Sequence, residues 1–199
     1  AHPHYHPRGV DEIAEVRRRY GIDGPYLLAL GSVVPHKNFQ TLCKAFRIVR
    51  ERTGMPHKLV IVGKPGWNAS AVFDEIRQGG TAEATIFAGY ADFCDTPALY
   101  SGAEAFCHTS IFEGYGLPVQ EALCCGCPVM VSDCTSLPEV AGTPGLASIY
   151  WDPRDVDSVV ETLTSFVRSG VPREDRSRAA LDRASAFLTW DEVARRHRV

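Results

Sequence analysis

The sequence predicts an α/β domain built on a doubly wound parallel sheet. Two patterns support this prediction: short segments that are apolar at nearly every position, and helical segments placed between them. A strand that is apolar on both faces is buried on both sides, as in a parallel sheet covered by helices. Right-handed crossovers then wind the chain around both faces of the sheet. Ligands in such sheets bind beyond the carboxyl ends of the strands.

Six apolar segments are the predicted strands. They span residues 26–31, 58–63, 84–88, 103–108, 128–132 and 147–150. The first two end in Gly31 and Gly63, which suit an abrupt turn. Short apolar segments bounded by turn residues indicate buried strands rather than helices.

The predicted helices fill the gaps between these strands. Apolar residues recur three and four positions apart after the first strand, at Phe39, Leu42, Cys43, Phe46 and Val49. Gly54 and Pro56 end that helix. Further helices are predicted over residues 71–78, 97–101, 117–125, 156–167 and 173–187, and a last one starts at Trp190. Pro97 suits the first turn of its helix, and Gly126 suits a helix stop.

The length of 199 residues favours one domain, which we place at residues 11–190. Residues 1–10 interleave histidine with proline and are predicted to form a disordered or linker segment. Residues 191–199 are predicted to begin a C-terminal helix that has no cap. We therefore expect the chain to be a piece of a longer protein.

The composition excludes several classes of protein. Hydrophobic residues make up 45% and charged residues 23%, as in an ordinary globular domain. The net charge of −3 argues against a nucleic-acid partner, which would need a basic face. No apolar segment approaches about 18 residues, and the polar N-terminus lacks the core of a secretory signal. We therefore expect a cytoplasmic protein without a transmembrane segment.

The seven cysteines cannot all pair within the chain, because their number is odd. Four of them lie in or beside apolar segments and are predicted to be buried thiols: Cys43, Cys94, Cys107 and Cys127. This usage favours a reducing setting. The cluster at residues 124–127 has no second ligand pair at zinc-site spacing, so no metal is expected there. His2, His4 and His6 could chelate a metal only loosely.

The loop after the fourth strand carries the strongest functional pattern, in which Glu113 and Glu121 flank two glycines. Gly114 and Gly116 let the backbone approach a ligand closely. The next helix offers unpaired N–H groups at Gly116, Leu117 and Val119, which form an anion site together with the helix dipole. The two carboxylates can accept hydrogen bonds from sugar hydroxyls. Taken alone, the pattern also fits an ordinary helix start with incidental acidic residues.

The loop after the first strand reaches the same edge of the sheet. Lys37 can place a positive charge on a phosphate there, and His36 can assist it. The alternative is a solvated lysine before a helix whose N-cap is Asn38. The shared sheet edge with the Glu113 loop favours the phosphate-binding interpretation.

The ordered set of motifs resembles that of the retaining GT-B glycosyltransferases of family four. The Glu113-x7-Glu121 segment resembles the signature of that family, and residues 31–38 are similar to its phosphate-binding loop. Further matching blocks lie at residues 62–67, 87–90, 125–129, 136–142 and 188–191. The resemblance runs from about Asp11 to the C-terminus. It corresponds to the C-terminal, Rossmann-like and donor-binding half of a GT-B fold.

The resemblance implies a role for each matching residue. Lys37 and Glu113 are the implied catalytic residues: Lys37 holds the diphosphate and Glu113 binds hydroxyls of the transferred sugar. Glu121 binds the ribose. The other implied donor-binding residues are Gly31, Ser32, His36, Gly63, Lys64, Tyr90, Gly114, Tyr115, Gly116 and Leu117. Ser32 stands where many members have a basic residue, so leaving-group stabilisation rests on Lys37, the helix N-terminus and His36, whose charge depends on pH.

The implied reaction is sugar transfer, with retention, from a nucleoside-diphosphate sugar to a glycan, lipid or other acceptor. An N-terminal domain outside this chain would supply the acceptor site, so the isolated chain is expected to be nearly inactive. No cofactor and no metal are implied. The block after Gly63 is similar to that of mannosyltransferases, which suggests polysaccharide biosynthesis. Contact with the inner face of a membrane could occur through the missing half.

Other functions remain open at this point. Gly114-x-Gly116, followed about twenty residues later by Asp133, resembles part of a nicotinamide-binding fingerprint. However, Val119 occupies the third glycine position and Glu121 would approach the pyrophosphate. A GT-B sugar-nucleotide epimerase and a non-catalytic donor-binding module are further alternatives.

Overall fold

The computed structural model describes residues 2–188 and 193–195, which contain a six-stranded parallel sheet. The strands are β1 (Tyr26–Leu30), β2 (Lys58–Val62), β3 (Thr85–Gly89), β4 (Ala105–His108), β5 (Val129–Ser132) and β6 (Ser148–Trp151). All six were predicted, and β4 begins two residues later than expected, at Ala105 rather than Ala103. The predicted parallel α/β fold is therefore confirmed.

The described part of the chain contains eight α-helices. They are α1 (Val10–Arg19), α2 (Phe39–Thr53), α3 (Ser70–Gln78), α4 (Thr96–Gly102), α5 (Leu117–Cys124), α6 (Leu137–Ala141), α7 (Val156–Arg168) and α8 (Arg173–Ala184). Of these, α2 to α6 connect successive strands. The sequence patterns did not predict α1. Only Val16 of this helix is buried, and three arginines follow it, so the segment has little apolar pattern. The patterns also missed α6, which is too short to show a period. The prediction for α8 ran on to Phe187, and the helix that was predicted to start at Trp190 lies mostly outside the described residues.

The order of the strands is β3-β2-β1-β4-β5-β6. The chain therefore winds outward in one direction from β1 and in the other from β4. These two strands pair in parallel, with Leu27 opposite Ala105 and Leu28 opposite Phe106. The crevice between the connections of β1 and β4 is the switch point of a doubly wound sheet, where ligands bind.

Two apolar layers sandwich the sheet. Leu27 belongs to the layer under α2, α3 and α7, and its neighbour Leu28 belongs to the layer under α1, α4, α5, α6 and α8. Both side chains are fully buried. This explains why the strands are apolar at successive positions instead of alternating.

The N-terminal segment packs on the domain, so the prediction of disorder for this segment is wrong over residues 2–9. The ring of His4 stacks on Phe93 with centroids 4.2 Å apart, and His4 Nε2 is 2.9 Å from the Phe93 carbonyl oxygen. The backbone N–H of Arg8 donates to Ser101 Oγ at 3.1 Å. Aromatic stacking holds this segment against the domain, although the segment contains few apolar residues.

All seven cysteines are free thiols. Cys43, Cys107 and Cys127 are buried as predicted. The prediction for Cys94 is wrong, because this residue lies on the exposed turn before α4. Within residues 2–188 and 193–195, no group of three or more His, Cys, Asp or Glu side chains is placed to hold a metal. None of the helices described is long and apolar enough to cross a membrane.

Candidate functional site

A cleft with a volume of about 510 Å³ opens beyond the carboxyl ends of β1 and β2, beside the switch point. Its walls bring together seven of the predicted donor-site residues, namely Gly31, Ser32, Gly63, Lys64, Tyr90, Leu117 and Glu121. Seven residues that sequence reasoning did not select complete these walls: Tyr5, Leu30, Val62, Ala91, Phe93, Thr96 and Pro118. The cleft therefore joins the connections after β1, β2 and β3 with α5 and the N-terminal segment.

The first turn of α5 forms one wall of the cleft. Gly116 is the N-cap of this helix with φ 98°, and a Cβ there would lie 2.8 Å from Leu137 Cδ2. Glycine therefore suits this position for both its backbone conformation and its lack of a side chain. Leu117 and Pro118 follow and line the cleft. The prediction of an unpaired N–H group at Val119 is wrong, because this group donates to the Gly116 carbonyl oxygen at 3.0 Å. The N–H groups at the start of the turn and the helix dipole favour an anionic ligand.

Lys37 and Glu113 form an ion pair that borders the cleft. Lys37 Nζ lies 2.5 Å from Glu113 Oε1, and the two side chains are only 16% and 13% exposed. A Cβ at Gly31 would lie 3.5 Å from Lys37 Cε, so the lysine runs alongside the cleft wall. Thr109 Oγ1 donates to the Lys37 carbonyl oxygen at 3.0 Å and ties the two loops together.

A buried histidine completes this cluster. His108, the last residue of β4, places Nε2 at 3.0 Å from Glu113 Oε1 and is 2% exposed. Its carbonyl oxygen accepts a hydrogen bond from Ser132 Oγ at 3.3 Å, which anchors the end of the strand. Three side chains therefore meet at the switch point, two of them from the Glu113 loop and its strand and one from the β1 loop.

The environment of Glu113 keeps it ionised. Burial alone would raise the pKa of this carboxyl, but hydrogen bonds from His108 and Lys37 outweigh that effect and lower the pKa to about 2. Burial lowers the pKa of His108, although the adjacent Glu113 carboxylate acts in the opposite direction. At neutral pH the cluster therefore contains an anionic Glu113 beside a neutral imidazole.

Glu121 lies at the far side of the cleft, one turn further along α5. Its Oε2 accepts a hydrogen bond from the buried Tyr100 hydroxyl at 3.2 Å. Burial raises the pKa of Glu121, while hydrogen bonds from Tyr100 and Tyr5 lower it. The carboxylate is thus held in place by tyrosines and still lines the cleft.

Lys64 adds positive charge at the rim. Its Nζ lies 5.0 Å from the centroid of the Tyr90 ring, within the range of a cation–π contact. Tyr90 is 67% exposed, so the ring is available as a flat surface at the mouth of the cleft. A cationic and an aromatic group therefore stand together opposite the first turn of α5.

Six of the predicted positions do not line the cleft: Lys37, Glu113, His36, Gly114, Tyr115 and Gly116. The His36 side chain is exposed on the short 3-10 turn Pro35–Lys37, and its carbonyl oxygen accepts from Ile111 N at 2.9 Å. Tyr115 is 49% exposed, and its carbonyl oxygen accepts from Ser136 Oγ at 3.0 Å. Hydrogen bonds to the backbone carbonyls of His36 and Tyr115 therefore hold these two loops in place, while both side chains stay exposed.

Asn38 occupies the N-cap position of α2, as expected, but its side chain caps no helical N–H group. Its amide Nδ2 donates instead to the Pro153 carbonyl oxygen at 2.7 Å, and its Oδ1 accepts from Thr41 Oγ1 at 2.8 Å. Asn38 therefore connects the β1 loop to the end of β6.

Sequence reasoning missed His108 and Tyr5 for different reasons. A polar residue at the end of an apolar strand, five positions before Glu113, was an available signal for His108. Tyr5 gave no such signal, because its segment carries no period and reaches the cleft only through packing on Phe93 and Tyr100.

The sheet order bears on the nicotinamide alternative. In a dinucleotide-binding sheet of this order, the glycine-rich turn follows the first strand. Gly114 and Gly116 instead follow β4, the fourth strand of the chain. This placement argues against a nicotinamide site at these glycines.

The family model described as "Glycosyl transferases group 1" matches residues 12–183. The chain is 34% identical over 189 residues to O-antigen chain mannosyltransferase B of Escherichia coli, covering 94% of this chain and 48% of that protein. The chain spans less than half the length of this curated relative.

Two solved structures illustrate the shared fold. A sucrose-phosphate synthase from Thermosynechococcus elongatus superposes with a TM-score of 0.81 at 20% identity, over 97% of this chain and 48% of that one. Anabaena HepE, solved in complex with UDP and glucose, has a TM-score of 0.77 at 17% identity, over 92% of this chain and 48% of its own. At these identities the likeness concerns the fold.

Proposed function

The chain belongs to the glycosyl transferases of group 1, and from this membership we propose that it is the domain that binds a nucleoside-diphosphate sugar. The observation that carries the proposal is the position of the Lys37–Glu113 pair. Lys37 of this pair runs beside Gly31 in the cleft wall, and Glu121 lines the same cleft. The first turn of α5 lies between these two carboxylates and offers an anion site.

The arrangement suggests one orientation for the donor. The diphosphate meets the start of α5, where the helix dipole and the Lys37 ammonium group favour negative charge. The ribose diol donates to Glu121, and hydroxyls of the transferred sugar donate to Glu113. As the sugar leaves, charge develops on the diphosphate, and Lys37 with the N–H groups of α5 stabilises it. These groups belong to the chain, so this account needs no metal or cofactor.

The whole enzyme is proposed to be a retaining mannosyltransferase. The relative described above is named a mannosyltransferase. The motif of Glu113 and Glu121 resembles that of retaining enzymes. The acceptor, a glycan or a lipid, would bind to a second domain. The isolated chain should then bind donor and transfer almost nothing.

Calorimetric titration of this chain tests the proposal. The panel contains GDP, UDP, GDP-mannose, UDP-glucose and NAD. At least one nucleoside diphosphate should bind, and Lys37→Ala should weaken its binding by about 1.5–3 kcal/mol, as for the loss of a charged hydrogen bond. Lys44→Ala, an exposed lysine of α2, is the matched control and should change nothing.

Two results would contradict this function. If none of the nucleoside diphosphates or their sugars binds, the cleft is not a donor site. If NAD binds and the others do not, the nicotinamide alternative is favoured.

A further inference from the structure

His108 makes a directed contact with one oxygen of Glu113. Its Nε2 lies 3.0 Å from Oε1, and Lys37 Nζ lies 2.5 Å from the same oxygen. Both of these hydrogen bonds go to Oε1. The nearby Ser110 hydroxyl also lowers the pKa of Glu113, but its buried Oγ has no hydrogen-bond partner in the described structure. The second oxygen, Oε2, therefore accepts no hydrogen bond from the described side chains and keeps its lone pairs for a ligand.

We propose that His108 is a positioning residue, which orients the Glu113 carboxylate so that Oε2 faces the transferred sugar. This inference rests on the proposed function of the cleft. A lysine ammonium group is a compact charge with no preferred plane, so Lys37 alone could bind both oxygens of Glu113 at once. A second donor on Oε1, held rigidly at the end of β4, prevents that rotation.

The rigidity of His108 follows from its surroundings. The side chain is 2% exposed, and its ring packs against Phe106 with centroids 5.5 Å apart. Ser132 Oγ donates to its carbonyl oxygen from the neighbouring strand. The imidazole is therefore fixed by a sheet rather than by a loop, which suits a group that must hold another in place.

The protonation state of His108 is also suited to this role. The ionisable groups that act on it in the described structure are the Glu113 carboxylate and the Lys37 ammonium group, and burial lowers its pKa. It therefore donates as a neutral imidazole through Nε2–H. A neutral donor orients the carboxylate without adding a second positive charge, so Glu113 remains a strong acceptor. Its orienting effect should not change between pH 7 and pH 8.

The test measures how much the sugar adds to binding. We define the sugar increment as the dissociation constant of a nucleoside diphosphate divided by that of its sugar, for GDP against GDP-mannose and UDP against UDP-glucose. His108→Leu removes the donor, whereas His108→Gln keeps an N–H group near the position of Nε2. His57→Leu, at the amino end of β2, is a control for the loss of a histidine.

The expected result is specific to the sugar. His108→Leu should lower the increment roughly tenfold, the equivalent of about 1.4 kcal/mol of a charge-assisted hydrogen bond. The affinity for the nucleoside diphosphate should stay within about twofold. His108→Gln and His57→Leu should keep the increment, and the increment of the unchanged chain should not vary from pH 7 to pH 8. Thermal melting establishes that each variant is folded.

A measurement on the unchanged chain does not depend on any variant folding. Nitrogen-15 NMR of the imidazole at pH 7 should show a neutral ring protonated at Nε2. A ring protonated only at Nδ1, or a charged ring, would overturn the positioning role.

The other outcomes separate this inference from the proposed function. A folded His108→Leu variant with a full increment, or a His108→Gln variant without one, overturns the role of His108 alone. If the chain binds nucleoside diphosphates but shows no sugar increment, the proposed roles of His108 and Glu113 are both wrong. The assignment of the nucleotide site then still stands. A chain that binds no nucleotide overturns the proposed function and this inference together.

Discussion

Gly63 packs directly against the backbone of Gly31. A Cβ placed on Gly63 would lie 1.9 Å from the Gly31 carbonyl oxygen and 2.6 Å from its carbonyl carbon. The backbone N–H of Gly31 also donates to the Val62 carbonyl oxygen at 2.9 Å, which continues the parallel pairing into the loops. The two glycines therefore let the loops after β1 and β2 meet and form the floor of the cleft.

Gly63→Ala should destabilise the domain by about 2–3 kcal/mol or more, because backbone cannot move aside as a flexible side chain can. Gly145→Ala is the matched control, since a Cβ there meets nothing within 4 Å. Thermal melting should show a lower Tm for Gly63→Ala only. Equal Tm values for the two variants would mean that the loops are not packed as described.

The Lys37–Glu113 pair should contribute to stability only above acidic pH. The folded pKa of Glu113 is about 2, below its ordinary value of 4.5, so its ionised form is favoured in the folded state. Its contribution is complete above about pH 5 and is lost as the pH falls towards 2. The wild-type chain should exceed Glu113→Gln by about 1–3 kcal/mol in the free energy of unfolding at pH 7. Denaturant titrations from pH 2 to pH 7 measure this difference, and a constant difference over that range would contradict the assignment.

Glu121 and Glu113 should separate nucleotide binding from sugar transfer. Glu121→Ala should weaken nucleoside diphosphate binding by about 1.5–3 kcal/mol, because it faces the ribose. Glu113→Gln should leave that affinity nearly unchanged. In the enzyme with its second domain, the same variant should lower turnover, since hydroxyl contacts that strengthen with developing charge act on the transition state.

Calorimetry and turnover assays on the same variants check this separation. Glu174→Ala, an exposed residue of α8, is the control for both measurements. Full turnover of Glu113→Gln, or a loss of nucleotide affinity as large as that of Glu121→Ala, would mean that the roles of the two carboxylates are misassigned.

Cys94 should be the thiol that reacts fastest in the native chain. It is exposed, whereas burial raises the pKa of the Cys43 thiol to about 12 and that of Cys107 further still. The thiolate is the reactive form, so these buried groups should react slowly. Labelling with a thiol reagent should show a fast phase that disappears in Cys94→Ser. A fast phase that persists in that variant would contradict the predicted order.

Zinc should not stabilise this domain. Burial raises the pKa of the Cys124 and Cys125 thiols, which disfavours the thiolate form that zinc requires. Metal analysis of the purified protein should find no stoichiometric zinc, and a chelator should not shift the melting curve. A shift of many degrees would indicate a metal site at these cysteines.

Local patterns in the sequence were sufficient to predict the sheet and to place the loops that carry the proposed site residues at one of its edges. Continuous apolar segments predicted all six strands. In the inner strands β1, β2, β4 and β5, burial on both faces makes successive residues apolar. Since parallel strands end at one edge, the loops carrying Lys37 and Glu113 were expected to meet. The two residues are 76 positions apart, and the structure places them in contact.

Only the tertiary structure decided which side chains surround that pair. His108 was one polar residue in an apolar strand, and its role depends on the direction in which the end of β4 points. Tyr5 reaches the cleft because His4 stacks on Phe93, a contact between residues 89 positions apart that leaves no period in the sequence. The periodicity of apolar residues indicates which residues are buried. It does not indicate which partner each residue contacts, because that depends on how distant segments pack. The sequence by itself therefore determined the fold and the sheet edge at which Lys37 and Glu113 meet, and the packing determined how those two groups are held.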